Sequence, residues 1–165
     1  MVCCVTGHRP KGFLFPYDTK NLAFISYFNS LLKEIEILIA EGYSEFISGM
    51  ANGADRDFAK CVILLRKDYP HITLEAALPY PIKSYDKKAG ELFEILEKCN
   101  KKTEVSAYFY GGCMQRRNRY MVDKADIVLA IWNEEEKGGT WNTIKYARSQ
   151  GKEIRYIMLN KFKEY

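Results

Sequence analysis

The residues best suited to chemistry in this chain cluster where apolar runs give way to glycine. Gly138-Gly139-Thr140, with Thr143 one turn further on, lies between the run Ile127-Val128-Leu129-Ala130-Ile131-Trp132 and the helical stretch Ile144 to Gln150. Glycine lacks a Cβ, so the backbone at such a junction can approach a ligand closely. A helix starting there turns unpaired N–H groups and the positive end of its dipole toward an anion. The chemistry predicted is the holding of a phosphate or its equivalent. Thr6-Gly7-His8-Arg9-Pro10 follows another apolar run. Here Gly7 frees the backbone, Arg9 offers a planar fork of donors for phosphate or carboxylate, and His8 is a candidate contact for a base, ribose or phosphate.

A third stretch, Ser48-Gly49-Met50-Ala51-Asn52-Gly53-Ala54-Asp55, joins a strand-like segment to a helical one. Asn52 is the expected N-cap. Asp55 falls in the first turn, either complementing the helix dipole or gripping a ribose hydroxyl and orienting Arg9 or Arg117. Gly49 and Gly53 are not spaced as G-x-G-x-x-G, so a dinucleotide site of the usual type is not expected. Further on, Arg116, Arg117 and Arg119 share one helical turn and must point in different directions. Arg117 with its neighbour Asn118 is the candidate pair, whereas Arg116 and Arg119 read as a solvated cationic face. Glu134, Glu135 and Glu136 read as a solvated loop.

The elements that would position these residues alternate along the chain. Strands are predicted over Val2–Thr6, Ser44–Ser48, Ile72–Leu78, Ala125–Trp132 and Glu153–Leu159. Helices are predicted over Asn21–Glu41, Ala54–Lys67, Ser84–Cys99, Met114–Lys124 and Thr140–Gln150. Thr103–Tyr110 reads equally as a short strand or an ordered loop, and Asn160–Tyr165 as a frayed, charged tail. The alternation predicts one α/β domain over residues 1–165, a Rossmann-like three-layer sandwich with a mostly parallel central sheet flanked by helices. In such a sheet ligands lie beyond the carboxyl ends of the strands, which is where all three glycine stretches fall.

Composition narrows the partners. The 165 residues are 47% hydrophobic and 28% charged, enough for a real core, and the formal charge of +4 is mild and interspersed, favouring a modest anion over nucleic acid. The five cysteines contain no C-x-x-C pair, so neither a disulfide framework nor a metal site is expected. No apolar run approaches the roughly 20 residues of a membrane span, and no leader-like segment opens the chain, so a cytoplasmic protein without membrane contact is expected. No cofactor is expected.

Taken in order, Thr6-Gly7-His8-Arg9-Pro10, Ser48-Gly49-Met50-Ala51 with Gly53 and Asp55, and Gly138-Gly139-Thr140 with Thr143, Tyr146 and Ala147 resemble the SLOG superfamily over nearly the whole chain. That Rossmann-like group includes DprA and the LOG phosphoribohydrolases, and the likeness is strongest to its YspA/YpsA-like branch. Of the LOG pattern M-x-x-R-K-x-x-M, this chain has Met114, Arg117 and Met121, with Asn118 at the lysine position. Of P-G-G-x-G-T-x-x-E, Gly139 and Thr140 align with the G-T, and Thr143 stands at the glutamate. In LOG enzymes that arginine and glutamate serve hydrolysis of the N-glycosidic bond of a nucleoside monophosphate, so Thr143 removes the obvious general acid or base. The resemblance implies binding or sensing of a nucleotide or nucleotide-derived small molecule, with LOG-like hydrolysis as the alternative. DprA-like binding of single-stranded DNA is a weaker one, resting on Tyr108, Phe109 and Tyr110 before the arginines. It also implies a homodimer or higher homo-oligomer, as LOG-type proteins pair.

Overall fold

The computed structural model describes residues 1–83 and 89–163. Six strands, β1 (Val2–Gly7), β2 (Glu45–Ser48), β3 (Thr73–Leu78), β4 (Lys101–Glu104), β5 (Ile127–Trp132) and β6 (Glu153–Met158), form one sheet in the order β4-β3-β2-β1-β5-β6. Every neighbouring pair is parallel. Five helices alternate with them: α1 (Leu22–Ala40), α2 (Ala54–Leu65), α3 (Gly90–Glu97), α4 (Cys113–Lys124) and α5 (Gly138–Ser149). With both faces of the sheet to be covered, β5 is apolar throughout with all six residues buried, and β1 beside it is largely apolar. This is a three-layer, Rossmann-like α/β architecture.

The larger core lies beneath α1, α2 and α3, and a smaller one, built on Cys4, Ile47, Met121, Val122 and Val128, lies beneath α4 and α5. Helix α1 is capped by Asn21, whose side-chain oxygen accepts from the Ala23 and Phe24 amides at 2.9 and 3.3 Å. Phe24 and Tyr27 on its inner face join Phe13, Phe15 and Tyr17 in a chain of edge-to-face ring contacts that fastens the segment after β1 to the core. Leu22 and Ile25 are exposed, because they sit on the outer side of the first turns.

Several boundaries differ from the sequence reading. The stretch Thr103–Tyr110, read as either a short strand or an ordered loop, is strand only in its first two residues. The strand is Lys101–Glu104, and a loop follows that exposes Tyr108 and Phe109. Helix α3 ends at Glu97, and the first part of the predicted Ser84–Cys99 helix, 84–88, lies outside the described residues. Asn52 does not cap α2. Gly53 takes that position with no side-chain cap, since the α2 entry is held by a backbone bond from the Ala54 amide to the His8 carbonyl at 3.0 Å. The tail is not frayed at its start either: Leu159–Phe162 forms a 3-10 turn that buries Leu159 and Phe162 against α1 and the aromatic cluster.

Candidate ligand-binding site

From β1 the chain steps outward through β2, β3 and β4, then returns to place β5 and β6 on the other side of β1. The order therefore reverses between β1 and β5, and the loops leaving their carboxyl ends diverge to open a crevice. A cleft of about 730 Å³ lies there. Gly7, His8, Arg9, Lys11, Gly12 and Leu14 line it from the β1 side, Ala51 and Asp55 from the start of α2, and Met114, Arg117 and Asn118 from α4. Asn133, Glu135, Lys137, Gly138, Gly139 and Thr140 close the β5 side.

The glycine pair belongs to the first turn of α5 rather than to the loop before it, since the helix begins at Gly138. Lys137 is the N-cap residue and supplies no side-chain cap, which leaves the first amides of the helix for whatever enters the cleft. Gly138 has φ of +81°, a conformation that favours glycine, and a Cβ added at either glycine would meet nothing within 4 Å. Thr140 is buried and lines the cleft beside them. Thr143 does not line it, because its hydroxyl donates back to the Gly139 carbonyl at 2.9 Å.

Arg117 is 4% exposed and held on several sides. Its Nε donates to Asn118 Oδ1 at 2.8 Å, its Nη1 to the carbonyls of Gly49 and, at 3.4 Å, Ala77, and its Nη2 lies 3.9 Å from the Met114 sulfur. Burial lowers its pKa, with Asp55 acting in the opposite direction. Asp55 is the reciprocal case: burial pushes its carboxyl up, and the Arg117 charge and the Ala51 amide, 3.3 Å from Oδ2, hold it down. The pair gives the cleft a floor of opposite charges that are removed from water.

Gly49, Met50 and Gly53 stand behind the cleft instead of lining it. The Gly49 carbonyl anchors Arg117, and a Cβ there would lie 2.7 Å from the guanidinium carbon. Met50 is buried with φ of +61° and turns its carbonyl to Arg56 Nε at 3.1 Å. Gly53, at φ +102°, allows the β1 loop to lie directly on the start of α2, where a Cβ would come within 2.9 Å of Arg9 Cα. His8 is packed beside Gly12, with its Nε2 sealed from solvent and without a hydrogen-bond partner. Burial lowers its pKa, against the influence of Glu135 and Asn133, so the neutral imidazole is favoured. Arg116 and Arg119 point away and line a separate groove with Gln115 and Tyr120.

Asn133 is the participant that sequence reasoning missed. Its Nδ2 donates to the Gly12 carbonyl and its Oδ1 accepts from the Glu135 amide, both at 3.0 Å, so one buried side chain ties the two loops of the switch point together. Its place directly after the last residue of β5 was the available signal. Lys11 and Lys137 add exposed cations at the rim, the latter paired to Glu135 at 3.1 Å. Among the described residues no group of three or more His, Cys, Asp or Glu side chains is placed to hold a metal ion, and no helix is long and apolar enough to cross a membrane.

A parallel sheet with a reversal of strand order, an open helix terminus and a cationic cleft at that reversal define a Rossmann-like α/β protein with a candidate site at the switch point. Within that class, the chain belongs to the YspA SLOG family, whose model matches residues 3–162. It is 32% identical over 145 residues to the Bacillus subtilis protein named "Uncharacterized SPbeta prophage-derived protein YoqJ", covering 78% of this chain and 84% of that one. A UPF0398 protein of Halalkalibacterium halodurans is 24% identical over 161 residues, covering 94% and 84% of the two chains. One from Ligilactobacillus salivarius is 28% identical over 144 residues, covering 82% and 76%.

Proposed function

We propose that the protein binds a nucleotide or nucleotide-derived small molecule in the switch-point cleft, as a binding or sensing module. The observation that carries this reading is the uncapped start of α5 at Gly138-Gly139, facing Arg9 and Arg117 across one cavity. The helix terminus and the guanidinium groups take the phosphate or its equivalent. Thr140, Asn118 and the Asp55 carboxylate add polar contacts to the sugar or base. His8 contributes its imidazole to the β1 wall of the cleft.

A panel of nucleoside mono- and diphosphates in a thermal-shift assay tests the reading. A ligand at 100 times its Kd stabilises the native state by about 2.7 kcal/mol, which for a chain of this size is a rise of roughly 5–11 °C in Tm. Gly139→Ala is the informative variant. Space is open around the added methyl, so the fold is retained or slightly stabilised, while the methyl occupies room where the phosphate would sit. Loss of the ligand shift with Tm preserved supports the reading, and an undiminished shift, or no shift from any nucleotide, overturns it. Arg117→Ala is a poorer probe because it leaves the Gly49 and Ala77 carbonyls without their donor.

A hydrolytic reading of the same cleft draws on one observation, the Asp55 carboxyl whose pKa burial has raised. Free base released from a nucleoside monophosphate, and lost in Asp55→Asn, would favour it.

A further inference from the structure

The two edges of the sheet are built differently. The β4 edge is four residues long, with Lys101, Lys102 and Glu104 exposed, a charged rim of the kind that blocks strand addition. The β6 edge is six residues long and has neither proline nor a run of charge. Among the described residues no strand lies beyond it. A groove of about 550 Å³ runs along this open edge, with Ile154, Tyr156, Met158 and Trp132 among its lining residues.

Side chains alternate between the two faces of β6. Arg155 faces α1, where it meets Glu34 at 3.2 Å and Glu41 at 2.6 Å, and Glu153, two residues before it, shares that face with a 3.7 Å contact to its Nε. Ile154, Tyr156 and Met158 face α5. Ile154 and Met158 pack on the Trp132 and Ile144 cluster, and the Tyr156 hydroxyl accepts from Arg148 at 2.9 Å. An acid and a base two positions apart on one face of an open strand make that strand self-complementary. An antiparallel copy related by a two-fold axis at Ile154 sets each Glu153 opposite the Arg155 of the other copy, and Ile154 against Ile154. Moving the axis to Arg155 would oppose two guanidinium groups, and moving it to Tyr156 would set Arg155 against Ile157 and leave Glu153 with no opposite charge from the other copy.

We propose that two copies of this chain pair antiparallel through β6 about Ile154, extending the six-stranded sheet into a continuous twelve-stranded one. The contact is isologous, so it closes as a dimer and removes the one unguarded edge. It lies on the edge of the sheet and leaves the mouth of the switch-point cleft free.

Sedimentation equilibrium of the full chain at tens of micromolar is expected to give twice the chain mass. In Ile154→Cys the two new thiols would sit directly opposite each other across the axis, with Cα atoms about 4.5–5.5 Å apart, within disulfide reach. Mild oxidation is expected to convert most of that variant to a covalent dimer. Tyr156→Cys, whose thiols would lie roughly 13 Å apart along the strands, and the parent with its five cysteines are expected to stay uncrosslinked. Glu153→Arg, a change at an exposed position, is expected to shift the mass to monomer with an unchanged far-UV circular dichroism spectrum. A monomeric parent overturns the proposal, as does a dimer that Glu153→Arg leaves intact or that Ile154→Cys fails to crosslink.

Discussion

Asp57 shows how far one side chain can act from its place in the chain. It sits in the first turn of α2, buried, and accepts hydrogen bonds from the hydroxyls of Tyr17 at 2.8 Å and Tyr27 at 3.1 Å. Tyr17 belongs to the segment that runs from the cleft residues His8 and Arg9 to α1, so Asp57 braces that segment from below. Burial pushes its carboxyl up to about 6, while the two tyrosines and Lys60 pull it down and Glu91 pushes it up. A carboxyl whose folded pKa exceeds its unfolded value of about 3.9 favours the native state when protonated. Its contribution is complete below pH 4 and is lost as pH rises through 6. Relative to Asp57→Asn, the parent is expected to lose about 2 kcal/mol of unfolding free energy between pH 4 and pH 7, measured by urea titration at each pH. Equal pH profiles for the two proteins would show that the carboxyl is not perturbed. Nothing in the local sequence signals this, because Asp57 reads as an ordinary first-turn acid and its tyrosine partners lie 40 and 30 residues away.

At the scale of elements, glycine at the strand ends has two jobs that look alike in sequence. Gly138 and Gly139 open onto empty space, whereas Gly7 and Gly53 are closed in by the protein itself. A Cβ at Gly7 would lie 2.5 Å from the Ala54 Cβ, and one at Gly53 would press on the backbone of His8 and Arg9. The second pair lets the β1 loop and the start of α2 touch, and so sets where Arg9 and Asp55 stand. Gly53→Ala combines that clash with a φ of +102°. It is expected to cost about 3 kcal/mol, seen as a fall of roughly 6–12 °C in Tm, before any ligand is added. A variant with the parent's Tm would mean that the loop can move away freely. The strand and helix pattern was legible because apolar periodicity is local. The start of β4 and the burial of Leu159 and Phe162 were not, because a four-residue polar strand and a short terminal turn are decided by what they pack against.

The whole molecule turns these pieces into a cleft by reversing the strand order between β1 and β5. Its two tryptophans record the event at that point: Trp132 and Trp141 stack with ring centroids 5.5 Å apart, and Trp132 Nε1 donates to the carbonyl of Glu135, a cleft residue, at 3.1 Å. The proposed nucleotide binding at Gly138–Thr140 is therefore expected to change intrinsic tryptophan emission, saturating at the concentration that saturates the thermal shift. A shift in Tm with no optical change would place the ligand away from the β5 loop. By itself the sequence determined the α/β alternation, the family resemblance and the three glycine stretches, since each rests on residues close together in the chain. Only the tertiary structure decided which of them share a cavity. Arg117 reaches Gly49 from 68 residues away and Asn133 reaches Gly12 from 121, and such pairings follow from sheet order and layer packing, which no local pattern of residues encodes.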